Sequence, residues 1–298
     1  MTPLLGQLGT RLLDRWIALL VVPGSLFVGA AVVGVALGQR NALDVDRLIA
    51  WAGRRSQAPL WSHPAGFVLT LAGFALAAAG VGLAAQLLGA GQLVWWLGSW
   101  PAPLRGWSAR RVNLRRERWN RLQNQFADLA TTADDPRPDL DGIAAALADR
   151  RNRMATAEPR RPTWIGDQLA AVETRVRNAY GLDLVSGWPR LWLLLPADPR
   201  AEIRAARGQL DGSSVLAAWG LLYVVLGVFW WPAALVGALT WVVGWRSARQ
   251  AMRTYAELIE SVVDLHGALL ARALGIDCPA ELTTAAGRAV TRRTRKGA

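Results

Sequence analysis

Hydrophobic positions along this chain gather in three blocks, 16–38, 65–98 and 214–245, and the stretches between them are rich in Arg, Asp and Pro. A soluble domain interleaves the two kinds of position. This segregation is that of a membrane protein with a polar domain between its spans. The first block, Trp16–Gly38, follows Arg11 and Arg15. Its length of about 23 residues exceeds the roughly 7–15-residue apolar core of a signal peptide, and no small-x-small cleavage site follows cleanly. It therefore reads as a retained span, bent at Pro23. The second block begins near Ala65 and runs to about Leu88. Its last turns reach Trp95-Trp96 at the interface, and Pro101 and Pro103 end it.

The third block contains "LLYVVLGVFWWPAALVGALTWVVGW", residues 221–245, with Arg200, Arg204 and Arg207 before it and Arg246, Arg249 and Arg253 after it. Loops rich in Lys and Arg stay in the cytoplasm. A single span would put one flank outside, whereas a hairpin turning at Trp230-Trp231-Pro232 keeps both inside. Each arm then has only about 16–17 residues, at the short end of the spanning range, so a full hairpin and a shallow re-entrant one both stand. One buried soluble helix would have to be apolar all round over more than about 30 residues.

Charge counts follow the same plan. Residues 100–212 carry 19 Arg and 14 acids, the tail after Trp245 nine basic and five acidic groups, and the 39–64 loop four Arg and two Asp. The expected fold is an all-α membrane protein with four transmembrane helices, the last two a short hairpin. It carries a helical cytosolic domain and a long amphipathic C-terminal helix. The organisation is 1–100 for the first pair of spans, 101–212 for the cytosolic domain, 213–247 for the hairpin and 248–298 for the tail. The expected location is the bacterial plasma membrane, multi-pass, with both termini cytoplasmic.

The polar stretches carry their own periodicity. In the 39–64 loop Leu43, Leu48, Ile49 and Trp51 are helically spaced, for a helix lying flat on the membrane or packed on the bundle. Arg105–Ala130 reads as a helix with Val112, Trp119, Leu122, Phe126 and Leu129 on one stripe. Asp141–Arg153 is a shorter helix. Pro162-Thr163 starts another, which ends at Tyr180 with Gly181 as its cap. In the tail, Tyr255, Leu258, Ile259, Val262, Leu265, Leu269 and Leu270 mark an amphipathic helix up to Gly275. "TRRTRKGA" then reads as a solvated basic end.

Composition narrows the chemistry. The net charge is +12, with 33 Arg against the single Lys296, a bias that GC-rich bacterial codon usage produces. The sole Cys278 excludes an intramolecular disulfide and any multi-Cys metal site, and His63 and His266 are the only imidazoles. No charged or His residue lies within the spans, which argues against proton relays, ion-coupled carriers and voltage sensors. Neither a phosphate-cradling glycine loop nor a nucleophile elbow is present. No catalytic residue, metal ligand or cofactor is expected.

Glycines recur seven apart: Gly66, Gly73 and Gly80; Gly220 and Gly227; Gly237 and Gly244. Gly34 and Gly38 form a small-xxx-small pair. Seven residues make two turns, so each set lines one helix face and marks close packing. The basic run "RRVNLRRERWNR" supplies Arg110, Arg111, Arg115, Arg116 and Arg118. Placed just after a span, these favour anionic lipid over nucleic acid. Trp230 and Trp231 are expected at the opposite interface.

Residues 162–196, "PTWIGDQLAAVETRVRNAYGLDLVSGWPRLWLLLP", resemble a motif of an uncharacterised family of bacterial integral-membrane proteins. The pattern is Pro-Thr-x-x-Gly-Asn, then Tyr-Gly-Leu-Asp, then Trp-Pro-Arg-Leu and a closing Leu-Pro. Asp167 stands where that family often has Asn. Asp167, Glu173, Tyr180, Asp183, Trp188 and Arg190 are the motif residues of unknown role, with Arg190 suited to pair with Asp183 or Glu173. The resemblance implies a similar topology and no activity.

The function expected from these observations is that of a non-enzymatic integral membrane module, a scaffold or sensor. Its cytosolic domain binds a protein partner, and the chain self-associates in the bilayer. An oligomeric pore or membrane-disrupting effector, and an enzyme with a polar site at the inner interface, are the alternatives.

Overall fold

The structure, a computed structural model, describes residues 21–56, 63–132 and 138–295. The start of the first apolar block, residues 133–137 between the two helices expected at Arg105–Ala130 and Asp141–Arg153, and the last three residues of the basic tail lie outside them. The described residues form ten α-helices and no strand: α1 Val22–Leu37, α2 Val45–Ser56, α3 Pro64–Trp96, α4 Arg105–Thr132, α5 Pro138–Met154, α6 Trp164–Tyr180, α7 Leu184–Leu194, α8 Ala197–Leu226, α9 Trp231–Ala273 and α10 Thr284–Thr294. Two of them, α3 and α8, are long and apolar enough to cross a membrane, and α1 is a shorter apolar helix. Only 11% of the most apolar window of α3 is buried within the chain, so its apolar surface lies largely uncovered. The chain divides into two compact units, Met1–Gln92 with Asp211–Arg246, and Leu93–Leu210 with Ser247–Ala298.

In the first unit the third apolar block doubles back. α8 ends at Leu226, the chain turns through 227–230, and α9 starts at Trp231. The arms lie antiparallel, with Ala217 against Gly244, Gly220 against Trp241, Val224 against Gly237 and Gly227 against Ala234. A Cβ on Gly220 would lie 2.5 Å from Trp241 N, and one on Gly237 2.5 Å from Val224 N. Only glycine permits this backbone approach, which in lipid supplies the packing that hydrophobic burial supplies in water. α3 meets α8 where a Cβ on Gly89 would lie 2.8 Å from Val215, and α1 crosses α3 at Gly24 against the carbonyl of Ala78. Gly34 faces Trp230, and Gly66 is buried. Gly38, Gly73 and Gly80 meet nothing of the chain. The seven-residue period thus coincides with contact in the hairpin and not on α3.

The hairpin tip exposes the last carbonyls of α8 and the first N–H groups of α9, which have no partners within their own helices. Gln39 answers both ends. Its Nε2 donates to the carbonyls of Gly227 at 2.8 Å and Val228 at 2.6 Å, and its Oε1 accepts from Trp231 N at 3.0 Å. Trp230 Nε1 donates to the carbonyl of Ala42 at 2.8 Å. The tip and the end of α1 are therefore tied together. α2 forms where the periodicity predicts, and none of its residues is buried.

The second unit has a core of its own. Val172 and Val176 of α6, Leu184 and Leu191 of α7, Ile203 of α8, Ile259, Val262, Val263 and Leu270 of α9 and Val290 of α10 are all buried in one cluster. Each Leu or Ile so buried contributes roughly 1.5–3 kcal/mol. Two tail expectations change here. Leu265 and Leu269 are exposed, while Ala256, Val263 and Ala271 face inward, because the buried face of α9 follows its partners α6, α7 and α10. The first half of the expected solvated end is the last turn of α10: Thr291, Arg292, Arg293 and Thr294 are helical and Thr294 is buried, while Arg292 and Arg293 are exposed. Arg-rich composition concealed a helix held by Thr283 at its N-cap, which accepts from Ala286 N, and by one apolar face. Leu191 and Leu195 of the run between Pro189 and Pro196 enter this core, Trp192 and Leu194 pack against it, and Leu193 is exposed; Pro189 lies inside α7.

Candidate functional site

α6 begins with Pro162-Thr163-Trp164-Ile165-Gly166-Asp167, and each named motif position makes a distinct contact. Thr163 caps the helix by accepting from Gly166 N at 3.1 Å, and its hydroxyl donates to the carbonyl of Trp96. A Cβ on Gly166 would lie 2.5 Å from the carbonyl oxygen of Leu97, so this helix start docks directly on the strip after α3. Pro162 packs on Gly98, which turns with φ +76, a left-handed conformation that favours glycine. The Pro162 carbonyl accepts from Arg111 Nε at 2.9 Å.

Asp167 is 3% exposed. Its Oδ1 accepts from Arg160 N at 2.8 Å and Arg161 N at 2.6 Å, and its Oδ2 accepts from Arg115 at 2.5 Å. Arg115 is thus committed inside the unit. The backbone clamp on residues 160–161 holds their side chains at the mouth of a cleft of about 580 Å³. Gly98, Ser99 and Trp100 form one wall. Arg105, Ser108, Val112, Asn113 and Arg116 of α4 form a second, at successive helical turns, and Arg160 and Arg161 close it. Four arginines and no acid line this space. Arg116 Nε lies 2.7 Å from Glu158 outside it, and among the described residues Arg105, Arg160 and Arg161 have no acidic partner. Trp95 and Trp100 pair beside it, ring centroids 5.2 Å apart.

The second half of the motif docks α10. Gly181 caps α6 with φ +64, and the Tyr180 carbonyl abuts Gly287, where any side chain would collide. Thr291 Oγ1 donates to the Gly181 carbonyl at 3.1 Å and accepts from Asp183 N at 2.9 Å. Asp183 Oδ2 accepts from Arg295 Nε at 2.7 Å, and Arg177 lies 3.8 Å from Oδ1. Burial favours the neutral acid at Asp183, but hydrogen bonds from Arg295 and Ser186 and the charges of Arg295 and Arg177 outweigh it. Its pKa therefore lies below the ordinary carboxylate value. Tyr180 donates to Asp264 Oδ1 at 2.9 Å, which holds its phenol protonated to higher pH than usual. Arg190 is not the partner of Asp183 or Glu173; it donates to the Ser186 carbonyl at 2.7 Å. Arg295, 112 residues away in sequence, takes that place because α10 folds back.

Comparisons with protein-family models, with curated proteins and with solved structures find no match. The site therefore rests on its own geometry.

The five arginines singled out on α4 divide by face. Arg111 and Arg115 point into α6, Arg116 lines the cleft, and Arg110 and Arg118 are exposed. Trp188 is half-buried, its ring 6.0 Å from that of Trp192, and Glu173 is half-buried. Sequence reasoning missed Arg105, Arg160 and Arg161 as cleft residues. The signal for Arg105 was helical: Arg105, Ala109, Val112 and Arg116 share one face. For Arg160 and Arg161 the positioning group is Asp167, a few residues on, but the spacing does not show that its carboxylate accepts from their backbone N–H groups.

Proposed function

We propose that this protein is a four-span module of the bacterial plasma membrane, without catalytic activity, whose helical cytosolic unit binds. α1, α3 and the α8–α9 hairpin cross the bilayer, and the ends of the chain lie in the cytoplasm. The observation that carries this reading is the tie between Gln39, Ala42 and the hairpin tip. The tie supports a topology with the end of α1 and the turn at Trp230-Trp231 on one side, and both arginine-flanked ends of the hairpin on the other with the exit of α3. The scaffold or sensor reading draws support from the motif. Thr163, Asp167, Tyr180 and Asp183 spend their polar atoms on internal contacts, as docking residues do. Self-association through the open faces of Gly73 and Gly80 belongs to the same proposal.

Cysteine accessibility tests the topology. In a Cys278→Ser background, Ala205→Cys and Gln250→Cys react with an impermeant maleimide only in inverted vesicles, and Val228→Cys reacts in intact cells. Labelling of residues 205 and 250 from opposite faces overturns the hairpin.

A further inference from the structure

We infer that the cleft walled by Trp100, Arg105, Arg116, Arg160 and Arg161 binds a phosphate ester, the headgroup of an anionic membrane lipid. This rests on the membrane reading above and gives the cytosolic unit a ligand class. The charge is one-sided: four arginines and no carboxylate line this space, and among the described residues only Arg116 of the four has an acidic partner, Glu158. Ser108 and Asn113 add neutral donors between the arginines. Guanidinium forks match phosphate oxygens in pairs, which makes arginine the residue suited to this recognition.

The arrangement is built rather than incidental. Asp167 fixes the backbone of Arg160 and Arg161, and Gly166 and Gly98 let the strip after α3 approach closely enough to form the opposite wall. A patch of solvated arginines on one helix would need none of these contacts.

Depth favours a lipid as the source of the phosphate. α3 has 33 residues, about 50 Å at 1.5 Å each, whereas the hydrocarbon core is about 30 Å thick and about 40–45 Å with its headgroups. Tilted by about 30°, within the range of bilayer spans, it covers about 43 Å of depth, so a helix that starts in one headgroup layer ends in the far one, and Gly98–Trp100 follow it in sequence. The Trp95–Trp100 pair suits that layer. The volume of about 580 Å³ accommodates a phosphate with its glycerol or sugar.

The test uses the full chain, stripped of lipid in an uncharged detergent, with retained lipid counted by native mass spectrometry. Phosphatidylglycerol is expected to bind, and phosphatidylcholine, whose choline cancels the charge, more weakly. A cation near a lipid surface contributes enough for roughly a fivefold change in affinity, so R105Q/R160Q/R161Q is expected to weaken phosphatidylglycerol about a hundredfold. The charge-matched control R110Q/R118Q/R121Q, on the opposite face of α4, is expected to stay within about threefold. An unchanged thermal midpoint in both variants shows that the fold is retained.

Inorganic phosphate at millimolar concentration displacing the lipid supports headgroup recognition. If inorganic phosphate binds as tightly as the lipid, the phosphate site stands and its ligand is a soluble ester. Equal losses in the two triple variants, or no loss in the cleft variant, overturn the inference. The membrane reading fails on a different result, a chain that stays dissolved without detergent.

Discussion

Replacing Asp167 by alanine removes the acceptor of three hydrogen bonds at once, from Arg160 N, Arg161 N and Arg115. The side chain of Arg115 is 19% exposed, so the substitution leaves a guanidinium mostly out of water without its counter-charge. Removing one partner of a buried pair costs about 3–5 kcal/mol, and the two part-buried N–H groups left without acceptors fall within that figure. For a chain of this size roughly 2–4 °C per kcal/mol applies, so the thermal midpoint of the second unit should fall by about 6–20 °C. Tryptophan fluorescence on heating in detergent reads it. The double variant D167A/R115M should recover part of the loss, because the stranded charge is gone and an apolar chain of similar length fills its place. D167A costing less than about 1 kcal/mol, or a double variant no more stable than D167A, would refute the account of Asp167 as a buried clamp.

Three further outcomes follow from other contacts. Gly237→Ala puts a methyl group 2.5 Å from Val224 N and should destabilise the hairpin by about 1–3 kcal/mol, whereas Gly73→Ala should be neutral or stabilising by up to about 1 kcal/mol; thermal midpoints of the two compare them. Gln39→Leu should cost about 1–3 kcal/mol and speed hydrogen exchange at Trp231, since the hairpin tip loses its donor and its acceptor together. Asp183 has a folded-state pKa below its unfolded one, so its contribution is complete above about pH 4 and is lost as pH falls through the folded-state value. Proteolysis of α10 should therefore be flat from pH 7 to pH 5 and rise only below about pH 4, and Asp183→Asn should abolish the step.

Much of the fold was legible because it is written locally. The start of α6 at Thr163 and its stop at Gly181 are capping chemistry, readable from two residues each. The turn at Trp230-Trp231-Pro232 followed from arginines on both flanks. α10 was not legible: its last four residues fell in the basic end read as solvated, and only the structure shows Val290 and Thr294 buried. Nor was the second role of the motif, since Tyr180, Gly181 and Asp183 meet Asp264, Thr291 and Arg295 more than 80 residues away.

The sequence by itself determined where most of the helices before α10 run and which tracts lack charge, because helix caps and hydropathy depend on neighbours within a few residues. Only the tertiary structure decided which of the many arginines are spent and which are available. Arg111, Arg115 and Arg295 are held by groups distant in the chain, while Arg105, Arg160 and Arg161 line a cleft with no acid on it. Arginine carries the same charge everywhere in a sequence; its partner is set by the fold.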